Sequence, residues 1–177
     1  MGNIVIRDSV PVDLSAVTTL YSKAFPNEDL MPLVTALMAE PTQPLSLVAV
    51  EGPSIVGHVM FTICGVIGTE TRIALLAPLA VASSKQQQGI GSTLVRSGCQ
   101  RLQDLAVAQV CVLGDPAYYE QFGFAANDHL LPPYTLPKEW RPAWQSVNLG
   151  NAKETCEGQL SVPKPWRDPA LWGAEAR

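Results

Sequence analysis

The stretch Leu79-Ala80-Val81-Ala82-Ser83-Ser84-Lys85-Gln86-Gln87-Gln88-Gly89-Ile90-Gly91-Ser92 decides how the rest of the chain is read. Its first three residues close an apolar run, Ile73 to Val81, with the pattern of a strand. A polar connector follows, and two glycines open a helix predicted from about Gly89 to Leu105. The core face of that helix is predicted at Leu94, Val95, Cys99, Leu102 and Ala106. The next apolar run, Val107 to Leu113, predicts another strand. A strand, a crossover helix and a strand place the two strands parallel.

Upstream of this unit, residues 3–7 predict a short strand. Two helices follow, one with Leu14, Val17, Leu20, Tyr21, Ala24 and Phe25 at helical spacing, the other with Leu30, Leu33, Val34, Leu37 and Met38. Pro41 and Pro44 stop the second. Leu45–Val50 and Ile55–Cys64 then predict strands joined by a Gly52-Pro53 turn, and a turn at Gly68–Thr71 leads into Ile73–Val81, an antiparallel meander. Two short strands are predicted at Trp144–Leu149 and Gln159–Val162. The fold class is α/β (α+β layered): a mixed, mostly antiparallel central sheet with flanking helices.

With 177 residues the chain is expected to form a single domain over 1–177. Its core is placed at about 3–130. An extension at about 131–177 holds seven of the fifteen prolines and all four tryptophans, and packs on the same domain. Apolar residues make up 47% and charged residues 16%, which argues against a disordered chain. The formal net charge of -4 offers no positive field for phosphates, so nucleic acid and anionic membranes are disfavoured partners. The longest largely apolar stretch, Ile55–Ile67, is too short to span a bilayer, and the N-terminus lacks a secretory pattern.

Four cysteines without a Cys-x-x-Cys pair, and two histidines, give neither zinc spacing nor a disulfide framework. No metal is expected, and a reducing cytoplasm fits. Cys111, in a Val-Cys-Val run, reads as a buried free thiol. His58, in an apolar strand, reads as a core histidine, and His129 as a loop residue.

The first turn of a helix has unpaired backbone N–H groups and the positive end of the dipole, and glycine lets a phosphate approach the backbone. Gln87–Ser92 could therefore hold a pyrophosphate without a Lys or Arg cluster. A P-loop needs a lysine after the glycines, and Ser92-Thr93 stands there instead. A dinucleotide fingerprint needs a third glycine, where Leu94 stands, and a direct strand-to-turn junction, where seven residues intervene. By itself the pattern leaves a plain helix opening equally open. After the strand ending at Leu113 comes Gly114-Asp115-Pro116-Ala117-Tyr118-Tyr119-Glu120-Gln121-Phe122-Gly123-Phe124. It suggests a helix capped by Asp115, started by Pro116 and ended by Gly123.

Together, Gln86–Gly91 and Tyr119–Phe124 resemble the GCN5-related N-acetyltransferase (GNAT) superfamily. The form Leu-Ala-Val, Gln-Gln-Gln-Gly-Ile-Gly, Leu-Gly-Asp-Pro-Ala-Tyr-Tyr and Phe-Gly-Phe is most similar to its bacterial YhbS-like branch. The resemblance covers Leu75–Phe124 specifically and the last third only loosely. It implies an N-acetyltransferase with acetyl-CoA as co-substrate, a splayed parallel strand pair, and a pantetheine arm along the backbone of Leu79, Ala80 and Val81. Gln86, Gln87, Gln88, Gly89, Ile90, Gly91 and Ser92 would cradle the pyrophosphate, and Lys85 is a candidate for the 3′-phosphate. Tyr119 stands at the family's position for the general acid, and Tyr118 beside it could share the role. The acetyl group would pass directly to a primary amine through a ternary complex. Val112 stands where many members carry an Asn toward the pantetheine, so that contact falls to Asp115 or is absent. Glu28, Asp29 or a water chain are the candidates for the base, with helix capping as the ordinary role of the two acids.

The acceptor, a small molecule or a protein amino group, is not legible, and a monomer or a homodimer is expected. A non-catalytic acyl-CoA-binding protein on the same fold is the alternative reading. An interaction module without coenzyme is a third.

Overall fold

The computed structural model describes residues 2–150 and 156–174. In chain order the elements are β1 (Ile4–Asp8), α1 (Leu14–Ala24), α2 (Met31–Met38), β2 (Leu45–Glu51), β3 (Ser54–Val66), β4 (Arg72–Val81), α3 (Ile90–Asp104), β5 (Gln109–Leu113), α4 (Pro116–Tyr119), β6 (Ala125–Ala126), β7 (Leu130–Leu131), β8 (Trp144–Asn148) and β9 (Gly158–Ser161). The strand order is β1-β2-β3-β4-β5-β8-β6, with β9 pairing β3 and β7. The β1–β2, β2–β3, β3–β9, β5–β8 and β6–β8 pairs are antiparallel. The β4–β5 pair is parallel, as the crossover through α3 requires. This is the mixed, mostly antiparallel sheet with flanking helices that the sequence predicts. The two-residue strands β6 and β7 carry no sequence signal.

Two compact units divide the chain, and each draws on two stretches of sequence. The first comprises Met1–Thr62 and Ala77–Arg101. Here α1 buries Val17, Leu20 and Tyr21, and α2 buries Val34 and Leu37. On α3, Leu94 and Val95 are buried. Two glycines allow close contact between β3 and α3. A Cβ at Gly98 would lie 2.1 Å from the Phe61 ring, and one at Gly57 would lie 2.9 Å from Leu94 Cδ1. Side chains alternate along a strand, so His58, next to Gly57, points the other way, and its ring meets Tyr21 of α1 edge-on at 5.5 Å. Asp13, buried ahead of α1, accepts two bonds from the Arg7 guanidinium (2.8 and 2.9 Å) and one from the Val10 N–H (2.7 Å). These bonds hold its carboxyl below the usual range, with the Arg7 bonds as the main cause.

The second unit comprises Ile63–Leu76 and Leu102–Arg177. Its core includes Ile73, Leu75, Leu102, Val107, Val110 and Cys111. The predicted core face of α3 fails at one position and weakens at another. Cys99 is half-buried, and Ala106 is exposed at φ +61°, beyond the end of the helix. The helix is closed by Val107 N–H donating to Leu102 O (3.1 Å) and Ala106 N–H donating to Gln103 O (3.1 Å). That pair of bonds needs a left-handed residue, usually glycine, and here an alanine takes it. The tryptophans order the tail. The Trp144 Nε1–H donates to Leu130 O (2.7 Å) and the Trp172 Nε1–H to Trp166 O (3.0 Å), and both indoles are buried. Trp172 meets Trp144 and Trp166 at 5.8 and 5.9 Å.

No helix among the described residues is long and apolar enough to cross a membrane.

Candidate active site

The glycine-opened segment lies wholly in the first unit. Its strand end, Leu79–Val81, has a buried Ala80 between two half-buried neighbours. The Ala82 N–H donates to Val56 O of β3 (2.8 Å), which ties the end of β4 to the sheet. The connector then turns twice through left-handed backbone, at Gln87 (φ +63°) and Gly89 (φ +83°). Alternating left- and right-handed residues turn successive N–H groups to one side and form an anion-binding concavity.

The glutamine side chains brace this loop. Gln86 Nε2 donates to Val81 O (3.2 Å), and Gln88 Nε2 donates to Ser84 O (3.3 Å). Each of these amides thus places a donor on a carbonyl of the same loop, and the loop's backbone N–H groups add to what it can offer a ligand. Gln86–Gly89 are exposed, while Ile90 is buried and anchors the helix.

Helix α3 begins at Ile90, and the Thr93 N–H donates to Gly89 O (2.9 Å). The N–H groups of Ile90, Gly91 and Ser92 precede that bond and face the helix entry. A Cβ on Gly89 would meet nothing within 4 Å, so the space before the helix is open. A pyrophosphate suits this cradle of N–H groups, positive dipole and free volume. Lys85, the candidate for a further phosphate, instead forms a 2.7 Å ion pair with Glu51.

Tyr119 lies in the second unit. Asp115 caps α4 by accepting the Ala117 N–H (3.0 Å), and Gly123 ends the following turn at φ +89°, both as the sequence predicts. The Asp115 carboxylate thus uses Oδ1 within its own turn. Tyr119 is buried, and its ring is met edge-on by Tyr118 at 5.0 Å and Phe124 at 5.5 Å. Burial is the main cause of a pKa above the usual tyrosine range, and Tyr118 adds to it.

One positioning residue escapes a reading of motifs. A Cβ at Gly114 would lie 2.5 Å from Tyr119 Cε2, so only glycine leaves room for the ring. The signal in the sequence is a glycine placed directly after a strand and before the capping Asp115, which also reads as an ordinary turn. Val112, buried on β5, offers no polar side chain.

The other candidates behave as ordinary structural residues. Asp29 Oδ1 accepts the Met31 N–H at 3.3 Å, a capping contact, and Glu28 is exposed. His58 is buried between Tyr21 and Ser46. His129 is exposed, 3.4 Å from Glu157. Cys111 is a buried free thiol. Among the described residues no group of three or more His, Cys, Asp or Glu could hold a metal ion.

Known proteins are similar to this chain in sequence and in fold. The family model described as acetyltransferase (GNAT) family matches residues 14–124. The chain is 32% identical over 166 residues to the Escherichia coli K12 protein named uncharacterized N-acetyltransferase YjhQ, covering 90% of this chain and 92% of that one. It is 32% identical over 127 residues to the uncharacterized N-acetyltransferase YhbS of the same organism, covering 71% and 76%. The solved structure of Escherichia coli YhbS in complex with CoA superposes with a TM-score of 0.85 at 27% identity, covering 95% of this chain and 94% of that one. A GNAT acetyltransferase from Brucella melitensis in complex with acetyl-CoA gives a TM-score of 0.77 at 26% identity, covering 94% and 99%. With the family model spanning well over half of the chain and the whole fold matched, the chain belongs to the acetyltransferase (GNAT) family.

Proposed function

We propose that the protein transfers the acetyl group of acetyl-CoA directly to a primary amine, of a small molecule or a protein, within a ternary complex. The observation that carries this reading is the open, left-handed entry to α3 at Gln87 and Gly89. It suits the diphosphate of a CoA ester, and the relatives solved with CoA and acetyl-CoA support the same ligand. In this reading the backbone of Leu79, Ala80 and Val81 holds the pantetheine arm. A strand N–H there stabilises the negative charge that grows on the thioester oxygen.

The amine nitrogen attacks the thioester carbonyl, the C–S bond breaks, and the nitrogen loses a proton to a base. Tyr119 gives its hydroxyl proton to the departing sulfur. Its raised pKa keeps that proton in place at working pH. A thiolate is ordinarily less basic than a phenolate, so Tyr119 serves as a hydrogen-bond donor whose proton follows the sulfur as the C–S bond breaks. General acid help of this kind is worth roughly 10²–10⁴ in rate, and holding amine and thioester together supplies much of the rest.

Calorimetric titration with acetyl-CoA and desulfo-CoA, on wild type and Gly89→Glu, tests the donor site. The reading expects saturable binding by wild type and its loss in the variant, which places an anion and a Cβ in the open space. Absence of binding at millimolar coenzyme sinks it. Thiol release in a panel of amines then tests catalysis. An intact thioester despite saturable binding identifies a non-catalytic acyl-CoA-binding protein instead.

A further inference from the structure

The second unit holds a cavity of about 290 Å³, lined by the stretch from Asn127 to Leu136, by Arg141, and by one residue each of β8 and β9. It shares no residue with Leu79–Val81, Gln86–Ser92 or Tyr119. Drug-sized ligands occupy roughly 300–1,000 Å³, so this volume suits a small molecule. Its apolar wall is Leu130, Leu136 and Trp144, all buried. The Trp144 Nε1–H donates to Leu130 O (2.7 Å), which ties that wall together.

Six polar side chains also line the cavity, and they are of three kinds. Asn127 and Gln159 build its frame. Asn127 Nδ2 donates to Ser146 Oγ (2.6 Å), and its Oδ1 accepts the N–H groups of His129 and Leu130 (2.7 and 3.1 Å). Gln159 Nε2 donates to the carbonyls of Pro132 and Pro133 (3.4 and 3.2 Å), which leaves its Oε1 as an acceptor. Tyr134 and Thr135 carry hydroxyls. These donate and accept alike, so they favour neither sign of charge in a ligand.

The third kind is charged. Asp128 is the one acid on the cavity lining and Arg141 the one base. Both are exposed, and among the described residues neither side chain makes a hydrogen bond or an ion pair. They line one cavity without pairing with each other, so more than 4.0 Å separates carboxylate from guanidinium. The neighbouring His129 and Glu157 meet each other at 3.4 Å and do not line the cavity.

This pair of charges selects the ligand. A lone carboxylate on Arg141 is repelled by Asp128, and a lone ammonium on Asp128 is repelled by Arg141. An uncharged ligand takes water from both charges and returns no partner. A ligand with both charges meets each with its complement. Guanidinium presents paired N–H donors that match a carboxylate.

We propose that this cavity binds a small zwitterion, a free amino acid with an apolar side chain. Its carboxylate lies on Arg141, its ammonium on Asp128, and its side chain against Leu130, Leu136 and Trp144. The site does not rest on the coenzyme reading, and its test needs no activity. The probe is L-leucine, titrated into protein with labelled methyl groups and followed by NMR. Leucinamide, which lacks the carboxylate, and 4-methylpentanoate, which lacks the ammonium, are the comparators. The expected result is saturable shifts of the Leu130 and Leu136 methyls with leucine, and binding weaker by roughly tenfold or more with either comparator.

Arg141→Gln and Asp128→Asn should each weaken leucine by roughly tenfold with an unchanged thermal midpoint, because both side chains are exposed and unpaired. Arg141→Gln should bind leucine and leucinamide alike, and Asp128→Asn should bind leucine and 4-methylpentanoate alike. That crossed pattern assigns each charge to its partner, which a general loss of structure does not reproduce. Absence of saturable shifts in wild type, a comparator that binds as tightly as leucine, leucine binding indifferent to either variant, or discrimination that the variants leave unchanged would each overturn the proposal.

Discussion

On the proposed function, Gly114→Ala should damage catalysis through the Tyr119 ring. The added Cβ would lie 2.5 Å from Cε2 and 3.1 Å from Cδ2 of Tyr119. Ordinary carbon contacts are about 3.5–4.0 Å, so one partner must move by about 1 Å. The backbone at Gly114 is pinned. Its N–H donates to Ala143 O (3.0 Å), and its carbonyl accepts Gln145 Nε2 (3.0 Å). The ring must yield, against Tyr118, Phe122 and Phe124.

Overpacking of this kind costs about 1–3 kcal/mol, which for a chain of this size lowers Tm by roughly 2–12 °C. A displacement of about 1 Å in a group that serves the chemistry can cost ~10² in rate. Thiol release at saturating acetyl-CoA should therefore show kcat reduced by ~10², with KM for acetyl-CoA within about threefold. Tyr119→Phe should lose kcat similarly while keeping more of its Tm, since the ring stays. A Gly114→Ala protein with the expected loss of Tm and an unchanged kcat would refute the link between the ring's position and the reaction.

Other expectations follow from burial and backbone geometry. The folded pKa of His58 is depressed from 6.5 to about 4, so its contribution to stability is present above pH 6.5 and is lost as pH falls toward 4. That loss is about 3 kcal/mol, and urea unfolding at pH 7 and pH 4 should show it; an NMR titration midpoint of His58 near 6.5 would contradict it. Tyr119 keeps its proton above the ordinary tyrosine range, so kcat should show no descending limb from it up to pH 10; a limb that disappears in Tyr119→Phe would count against the buried phenol. Ala106→Gly should stabilise by about 1 kcal/mol, because a left-handed alanine carries a strain that glycine does not; an unchanged or lower Tm counts against it. Gly98→Ala should destabilise by at least about 1–3 kcal/mol, since its Cβ would lie 2.1 Å from Phe61; a near-native urea midpoint would show that the ring has room to move.

The sequence by itself determined the order of the longer elements, the parallel crossover and the glycine-opened helix. These are written in local periods, in caps and in residues able to adopt left-handed backbone, such as Gly89 and Gly123. It also determined that Asp115 caps and that Cys111 is buried, because a cap and an apolar run are short-range features. The end of α3 was less legible. Ala106 has good helix propensity, yet it takes the left-handed position because Leu102 and Val107 are both buried there.

Only the tertiary structure decided which side chains are already spent. Lys85 meets Glu51, distant in sequence, because β2 and the connector lie together in one unit. The row from Tyr21 through His58 and Ser46 to Ser9 likewise joins four segments. Gly57, Gly98 and Gly114 became necessary through neighbours that are remote or turned by packing. Periodicity fixes which face of an element is apolar, but long-range contact fixes which atoms remain free to bind, and no local pattern encodes that.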